Sequence, residues 1–341
     1  MGNCFGIFKK STSDIAPSDD LKARPVVRLY GPPAGFATSF VRFVLLYKPV
    51  TILFIPSETP RGGGETPVLQ CGNEIVSGAG ETLLQYVEAT FPDPPVMRMS
   101  HGWLDETTPL VVTVAVLQHR SMTWHMERLV RWAQDLAARG GRTRRGGDPV
   151  MGSPRMEVKK FGRSYGQLLE LMLEHAQMEE TVVFPILEKA DPGLCKTANK
   201  EHARDLPMMN GIKEDIKSIG VLDSGDAVYQ EAVCNLSARL QKLLDHCKEH
   251  FVEEEREVLP LMEAAVELSR DQQEKVLEQC FAAMKGTHSH LFPFFVQGLL
   301  PRDAVHYLDL LVRATGDKDR VASMLRMLFE QDRSIRSDPI L

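Results

Sequence analysis

The sequence predicts an α+β protein of more than one domain: a small α/β unit, then an all-α four-helix bundle, then a helical extension. Three observations lead there. Short apolar runs alternate with helical patterns over residues 26–92, the mark of a mixed α/β layer. From about residue 105 strand signals vanish and long helical periodicity takes over. Within that second region two segments repeat one another, and the repeated residues are of metal-ligand type. His175-Ala-Gln-Met-Glu179 is followed by Phe184-Pro185-Ile-Leu187, and His250-Phe-Val-Glu-Glu254 by Leu259-Pro260-Leu-Met262 at the same offset. At 341 residues the chain has room for two ordinary domains.

At the N-terminus, Met1-Gly2-Asn3-Cys4 offers Gly2 for myristoylation and Cys4 for palmitoylation, with Gly6 where the usual motif has Ser or Thr. A single acyl chain holds a membrane weakly, so the second one matters. Lys9 and Lys10 add a small electrostatic pull, and residues 1–25 read as a disordered tether. The α/β domain spans 26–95. Val26–Tyr30 reads as a strand, Gly31–Gly35 as a turn, Thr38–Tyr47 as a helix and Val50–Ile55 as a strand. A loop with three glycines, Gly62 to Gly64, leads to a hairpin (Pro67–Cys71, Glu74–Ser77) and a helix from Glu81 to Thr90. The order β-α-β-β-β-α suggests an α/β sandwich of thioredoxin type.

This segment resembles the N-terminal domain of glutathione transferases. Thr66-Pro67-Val68-Leu69 looks like that family's cis-Pro before a strand, and Glu81-Thr82 stands where it has an acidic residue and Ser. The turn from Gly31 to Ala37 contains no Ser, Cys or Tyr to activate a thiol, although Tyr30 sits just before it. The segment is therefore expected to serve docking or stability and not conjugation.

The bundle is expected over 105–267. Its first helix covers about 108–138 with His119 and His125, and a Gly/Arg-rich loop follows over 139–156. The second covers about 157–190 with His175 and Glu179. The third starts near Thr197 and carries His202. The fourth covers about 227–266 with His246, His250 and Glu254. Positions i and i+4 share a helix face, so each His-x-x-x-Glu points one imidazole and one carboxylate the same way. Two such helices facing each other, with a His from each of two more, would build a carboxylate-bridged dinuclear site.

The ordered set His119, His175-x-x-x-Glu179, His202, His250-x-x-x-Glu254 resembles the hemerythrin-like, or HHE cation-binding, family over roughly 110–265. The resemblance implies that Glu179 and Glu254 bridge two irons and that the four His are terminal ligands. Some family members have another carboxylate directly after the second His, where Ala176 stands here. Others have a further His four residues after the third, where Leu206 stands. Glu180, Glu201 and His246 are the candidates to complete the ligand set. His125 lies about 120° round the helix from His119 and is expected to be a packed or surface residue. Imidazole and carboxylate ligands suit iron or manganese, whereas structural zinc or an iron–sulfur cluster would call for thiolates. Met172, Leu173, Met178, Val252 and Met262 are candidates for an apolar shell that limits water.

The extension, 268–332, keeps helical periodicity without the ligand pattern, and 333–341 reads as a tail. His288-Ser-His290 and Phe292-Pro-Phe-Phe295 mark an aromatic turn; Pro301 starts a helix, and a last helix covers about 317–331. The favoured function is a membrane-tethered lipoprotein that binds iron, dioxygen or another small ligand, for sensing or metal homeostasis, and is read by a protein partner. A diiron oxidase or peroxidase-like enzyme is the second reading, for which no redox-partner motif is present. A metal-stabilised scaffold with a non-catalytic docking domain is the third. The formal charge of −6 gives no reason to expect nucleic acid. Six scattered cysteines (Cys4, Cys71, Cys195, Cys234, Cys247, Cys280) and the lack of a secretory or spanning apolar run fit a cytoplasmic protein, peripheral on the plasma membrane or an endomembrane.

Overall fold

The computed structural model describes residues 24–57, 66–96, 108–140, 153–262 and 270–337. Gly2, Cys4, most of the tether, the Gly62–Gly64 loop and most of the Arg-rich loop lie outside the described residues. In the first unit, β1 (Val26–Gly31) and β2 (Thr51–Pro56) pair in parallel across helix α1 (Phe36–Leu45), since a parallel return needs a crossover. β3 (Val68–Cys71) runs antiparallel to β1, and β4 (Glu74–Ser77) closes a hairpin at Gly72, whose φ of 59° suits glycine. The sheet order is β2-β1-β3-β4. α1 and α2 (Gly80–Thr90) pack on it, joining Val27, Leu29 and Leu69 to Val41, Leu83 and Val87 in one core. This small α/β unit is consistent with a thioredoxin-like segment. Two local features depart from the glutathione-transferase pattern. The bond before Pro67 is trans; among the described residues the cis bond is Asp93–Pro94. The Tyr30 hydroxyl is taken up by the sheet, donating to Gln70 Oε1 at 3.0 Å.

The bundle is made by α3 (Leu110–Arg139), α4 (Pro154–Met178), α6 (Lys196–Ile219) and α7 (Ala227–Glu253), with short α5 (Phe184–Ala190) continuing the line of α4. Start and stop signals act as chemistry requires. Ser153 Oγ accepts from Met156 N, Pro154 fills the first turn, and α3 ends at Gly140 with φ of 55°. The helices expected over 157–190 and 227–266 are each interrupted by a π-helical turn, at Glu179–Val183 and Glu254–Val258. Both have the same cause. Pro185 and Pro260 cannot donate to a carbonyl four residues back, and their rings crowd it. The chain widens by one residue instead: Phe184 N donates to Glu179 O, and Leu259 N to Glu254 O, across five residues.

The extension adds α8 (Arg270–Ala283), α9 (Phe292–Gln297), α10 (Pro301–Thr315) and α11 (Lys318–Ser337). The aromatic segment expected to be a turn is helix α9, with Pro293 in its first turn, where a missing N–H costs nothing. The extension covers α3 on the side away from the bundle, and residues 111–119 are consequently buried without a break. A stripe of α3 bonds to it: Ser121 Oγ donates to Phe295 O at 2.7 Å, and His125 Nε2 donates to Phe294 O at 2.7 Å with its ring stacked on that of Phe294. Arg120 reaches Asp303 at 3.0 Å. A Cβ on Gly298 would sit 2.6 Å from Ser121 Oγ and 2.7 Å from its carbonyl oxygen. Gly298→Ala is expected to destabilise the fold by roughly 1–3 kcal/mol through overpacking, read as a lower urea midpoint. On the other flank Arg42 of α1 lies 3.9 Å over Phe329, so the extension also meets the α/β unit.

His288 and His290 do not converge on a second site. His290 pairs with Glu170 at the surface, while buried His288 bonds to Tyr307 and to Phe281 O. Burial pushes His288 down to about 4 and His125 down to about 3. In the unfolded chain both titrate near 6.5. As pH falls below 6.5 the unfolded state takes up protons that the folded state refuses. The stability these neutral rings contribute is thus complete above pH 6.5 and lost towards pH 4. At pH 5 the loss is expected to be roughly 2 kcal/mol for each ring. Denaturant titrations at pH 7 and pH 5 check it, with equal midpoints as the contrary outcome.

Candidate metal centre

Four helices deliver six side chains to one buried point. His119 comes from α3, His175 from the end of α4, His202 from α6 and His250 from the end of α7; Glu179 and Glu254 are the first residues of the two π-turns. His119 Nε2 lies 3.1 Å from His175 Nε2, and His202 Nε2 lies 3.2 Å from His250 Nε2. Glu179 sits between the two imidazole pairs, 3.0 Å from His175 Nε2 through one oxygen and 3.5 Å from His202 Nε2 through the other. Glu254 lies 3.5 Å from both His119 Nε2 and His250 Nε2. Two groups of potential ligand atoms result: His119, His175, Glu179 and Glu254, and Glu179, His202 and His250.

The outward ring nitrogens are all engaged. Nδ1 of His119 faces Glu255 at 2.9 Å, that of His202 faces Glu180 at 2.9 Å, and that of His250 faces Glu201 at 2.7 Å. Nδ1 of His175 meets the Gln118 carbonyl at 2.8 Å. Each of these partners accepts, so each Nδ1 carries a proton and each ring, when neutral, turns an Nε2 lone pair inward. Paired lone pairs about 3 Å apart repel unless a cation lies between or beside them. The carboxylates make the same demand. All four oxygens of Glu179 and Glu254 are buried without a hydrogen-bond donor, which is costly for an anion. Burial and the charge of Glu179 push Glu254 well above the usual carboxylate range. Glu179, despite its burial, is held well below that range by His175 and His119. Burial works against a charge on His119, yet Glu179 and Glu255 carry it up to about 9. The donor set of imidazoles and carboxylates fits hard-to-borderline divalent or trivalent metal ions.

The three further ligand candidates stand outside this cluster. Glu180 and Glu201 bind the back of His202 and His250, and His246 Nδ1 faces Asp205 at 3.1 Å. The reason for Glu180 is angular: consecutive helical residues point about 100° apart, so it cannot share the aim of Glu179. Sequence reasoning does not single out Glu255, Gln118 or Asp205. For Glu255 the available signal is its place beside Glu254, equivalent to that of Glu180 beside Glu179. Gln118 extends the chain further: its Nε2 donates to Tyr307 at 3.2 Å, and Tyr307 donates to His288 Nε2 at 2.8 Å. Phe251 stacks on His119 with centroids 4.2 Å apart and shields it from water. Of the expected apolar shell, Met178 and Met262 are buried and Met172 and Leu173 line a cavity beside the site, but Val252 is exposed.

The fold and the site together define a four-helix His/Glu metal-binding bundle. Residues 111–262 match the family model for the hemerythrin HHE cation binding domain. That stretch runs from the first turn of α3 to just past the second π-turn. No curated protein and no solved structure matches the chain.

Proposed function

We propose that the chain holds two iron ions in this cluster and reports the supply of iron, or of dioxygen, through the state of the bundle. The observation that carries it is the set of four donor-less carboxylate oxygens of Glu179 and Glu254 at the focus of four inward Nε2 atoms. His119 and His175 would hold one ion, His202 and His250 the other, and the two glutamates would lie between them. Bound iron would supply a redox-active Lewis acid able to take a small oxygen ligand. The chain's own part is to fix the four tautomers, to bring the negative charges of Glu180, Glu201 and Glu255 behind three of the rings, and to limit water through Phe251. Because an ion that binds the folded chain alone stabilises it, bundle order would follow iron supply. A protein partner would read that order.

A cavity reaching three of the four histidines favours, as a second reading, an oxidase or peroxidase-like enzyme at the same site. The deciding experiment is metal analysis with an absorption spectrum, on protein purified without oxygen and then exposed to air. About two irons per chain, with new near-ultraviolet or visible bands in air, are expected. A folded protein without stoichiometric metal would overturn the proposal.

On this reading the protein sits on the cytoplasmic leaflet through acylated Gly2 and Cys4. Gly2→Ala should move it from the membrane to the soluble fraction. Unaltered fractionation would remove the lipid anchor from the account.

A further inference from the structure

The cavity beside the cluster lies between α4, α6 and α7 and has a volume of about 480 Å³. His175, His202 and His250 line it on the side of the cluster. Met122, Met172, Leu173, Leu206, Met209 and Phe251 supply apolar wall. Such a space is far larger than a diatomic gas needs and falls within the range of small-molecule sites. Ala176 and Leu206 both line it. Ala176 follows His175 directly, and Leu206 stands one turn after His202 on the same face of α6. A small and an aliphatic side chain at these two positions give space and apolar surface beside the cluster. Leu206 and Leu173 are each 41% exposed, so the apolar lining continues to the mouth.

We propose that this cavity binds an aliphatic molecule of medium chain length, its oxygen-donor head (an alcohol, hydroperoxide or carboxylate) towards the histidines and its tail along the methionines. The tail is apolar because the wall is: among the described lining residues there is no lysine or arginine to hold a charged group along it, and Asp205 is already paired with Arg204. The wall offers no competing thiolate, because burial pushes the Cys247 thiol up to about 12 and keeps it protonated. The inference rests on the reading of the cluster as a metal centre, and its test separates the two.

Iron-loaded full-length protein is titrated with hydroxamic acids of increasing length, whose iron complexes absorb in the visible. Each methylene withdrawn from water is worth roughly fourfold in affinity. Octanohydroxamic acid is therefore expected to bind at least about a hundredfold more tightly than acetohydroxamic acid. Octanoate, which shares the tail, should compete with it more strongly than acetate does. Ala176→Leu, which narrows the cavity, should reduce the length dependence. Iron that loads normally with equal affinity for long and short hydroxamates would overturn the cavity proposal and leave the metal centre standing. Equal competition from octanoate and acetate would overturn the cavity proposal in the same way. Protein that takes up no iron would overturn the metal-centre reading itself; the length dependence of apoprotein binding to 1-alkanols up to 1-octanol, followed by tryptophan fluorescence, then decides the cavity separately.

Discussion

Glu254→Ala is expected to abolish stoichiometric iron binding and to remove the stabilisation that iron gives the fold. Nothing else in the fold uses this carboxylate, since both oxygens are buried and neither takes a hydrogen bond from the described residues. The sign of the effect therefore depends on metal. With iron at a thousand times its dissociation constant, wild type should gain about 4 kcal/mol that the variant cannot. Without iron the variant should be as stable as wild type or more so, since it no longer buries a carboxyl between Glu179 and two imidazoles. Thermal melts of both proteins, with and without iron, check this crossing. Full iron content in the variant would show that Glu254 is not a ligand.

Gln118→Leu should weaken one iron and spare the other. His175 Nδ1 has the Gln118 carbonyl as its acceptor, whereas the other three rings are backed by carboxylates. Loss of that acceptor frees the tautomer and orientation of His175, which typically costs 10- to 100-fold in metal affinity. The His202–His250 pair keeps Glu180 and Glu201. A chelator competition should therefore turn from one phase into two. Gln118→Glu, which restores an acceptor, should recover the tight phase. Equal weakening of both ions, or of neither, would break the link between the outer partner and the ligand.

The fold is legible in the sequence wherever periodicity decides it. Strand alternation from Val26 and the long stretch carrying His119 both lead to the elements observed. The six clustered side chains are legible because i,i+4 spacing is a statement about one helix face, repeated. The π-turns escape a reading by periodicity, although the equal spacing of Glu179 to Pro185 and Glu254 to Pro260 is their signal: a proline six residues after a glutamate displaces the backbone by a residue. Glu180 and Glu201 read as further ligands because proximity in sequence hides direction. Tyr307 and His288 are out of reach for another reason. They join Gln118 across a separation of 189 residues between Gln118 and Tyr307, and no local pattern encodes which surface of α3 an appended helix will choose.

The repeated π-turns have a consequence for how the centre is assembled. One half of the bundle carries His119, then His175, Glu179, a widened turn and Pro185; the other carries His202, then His250, Glu254, a widened turn and Pro260. Each half brings its two imidazoles together and sends its glutamate towards the imidazoles of the other. The site has the logic of a two-fold dimer joined into one chain. Neither half holds all six clustered side chains, so the cluster exists through the association of the halves, and metal ions bound there would act as the rivet of an internal interface.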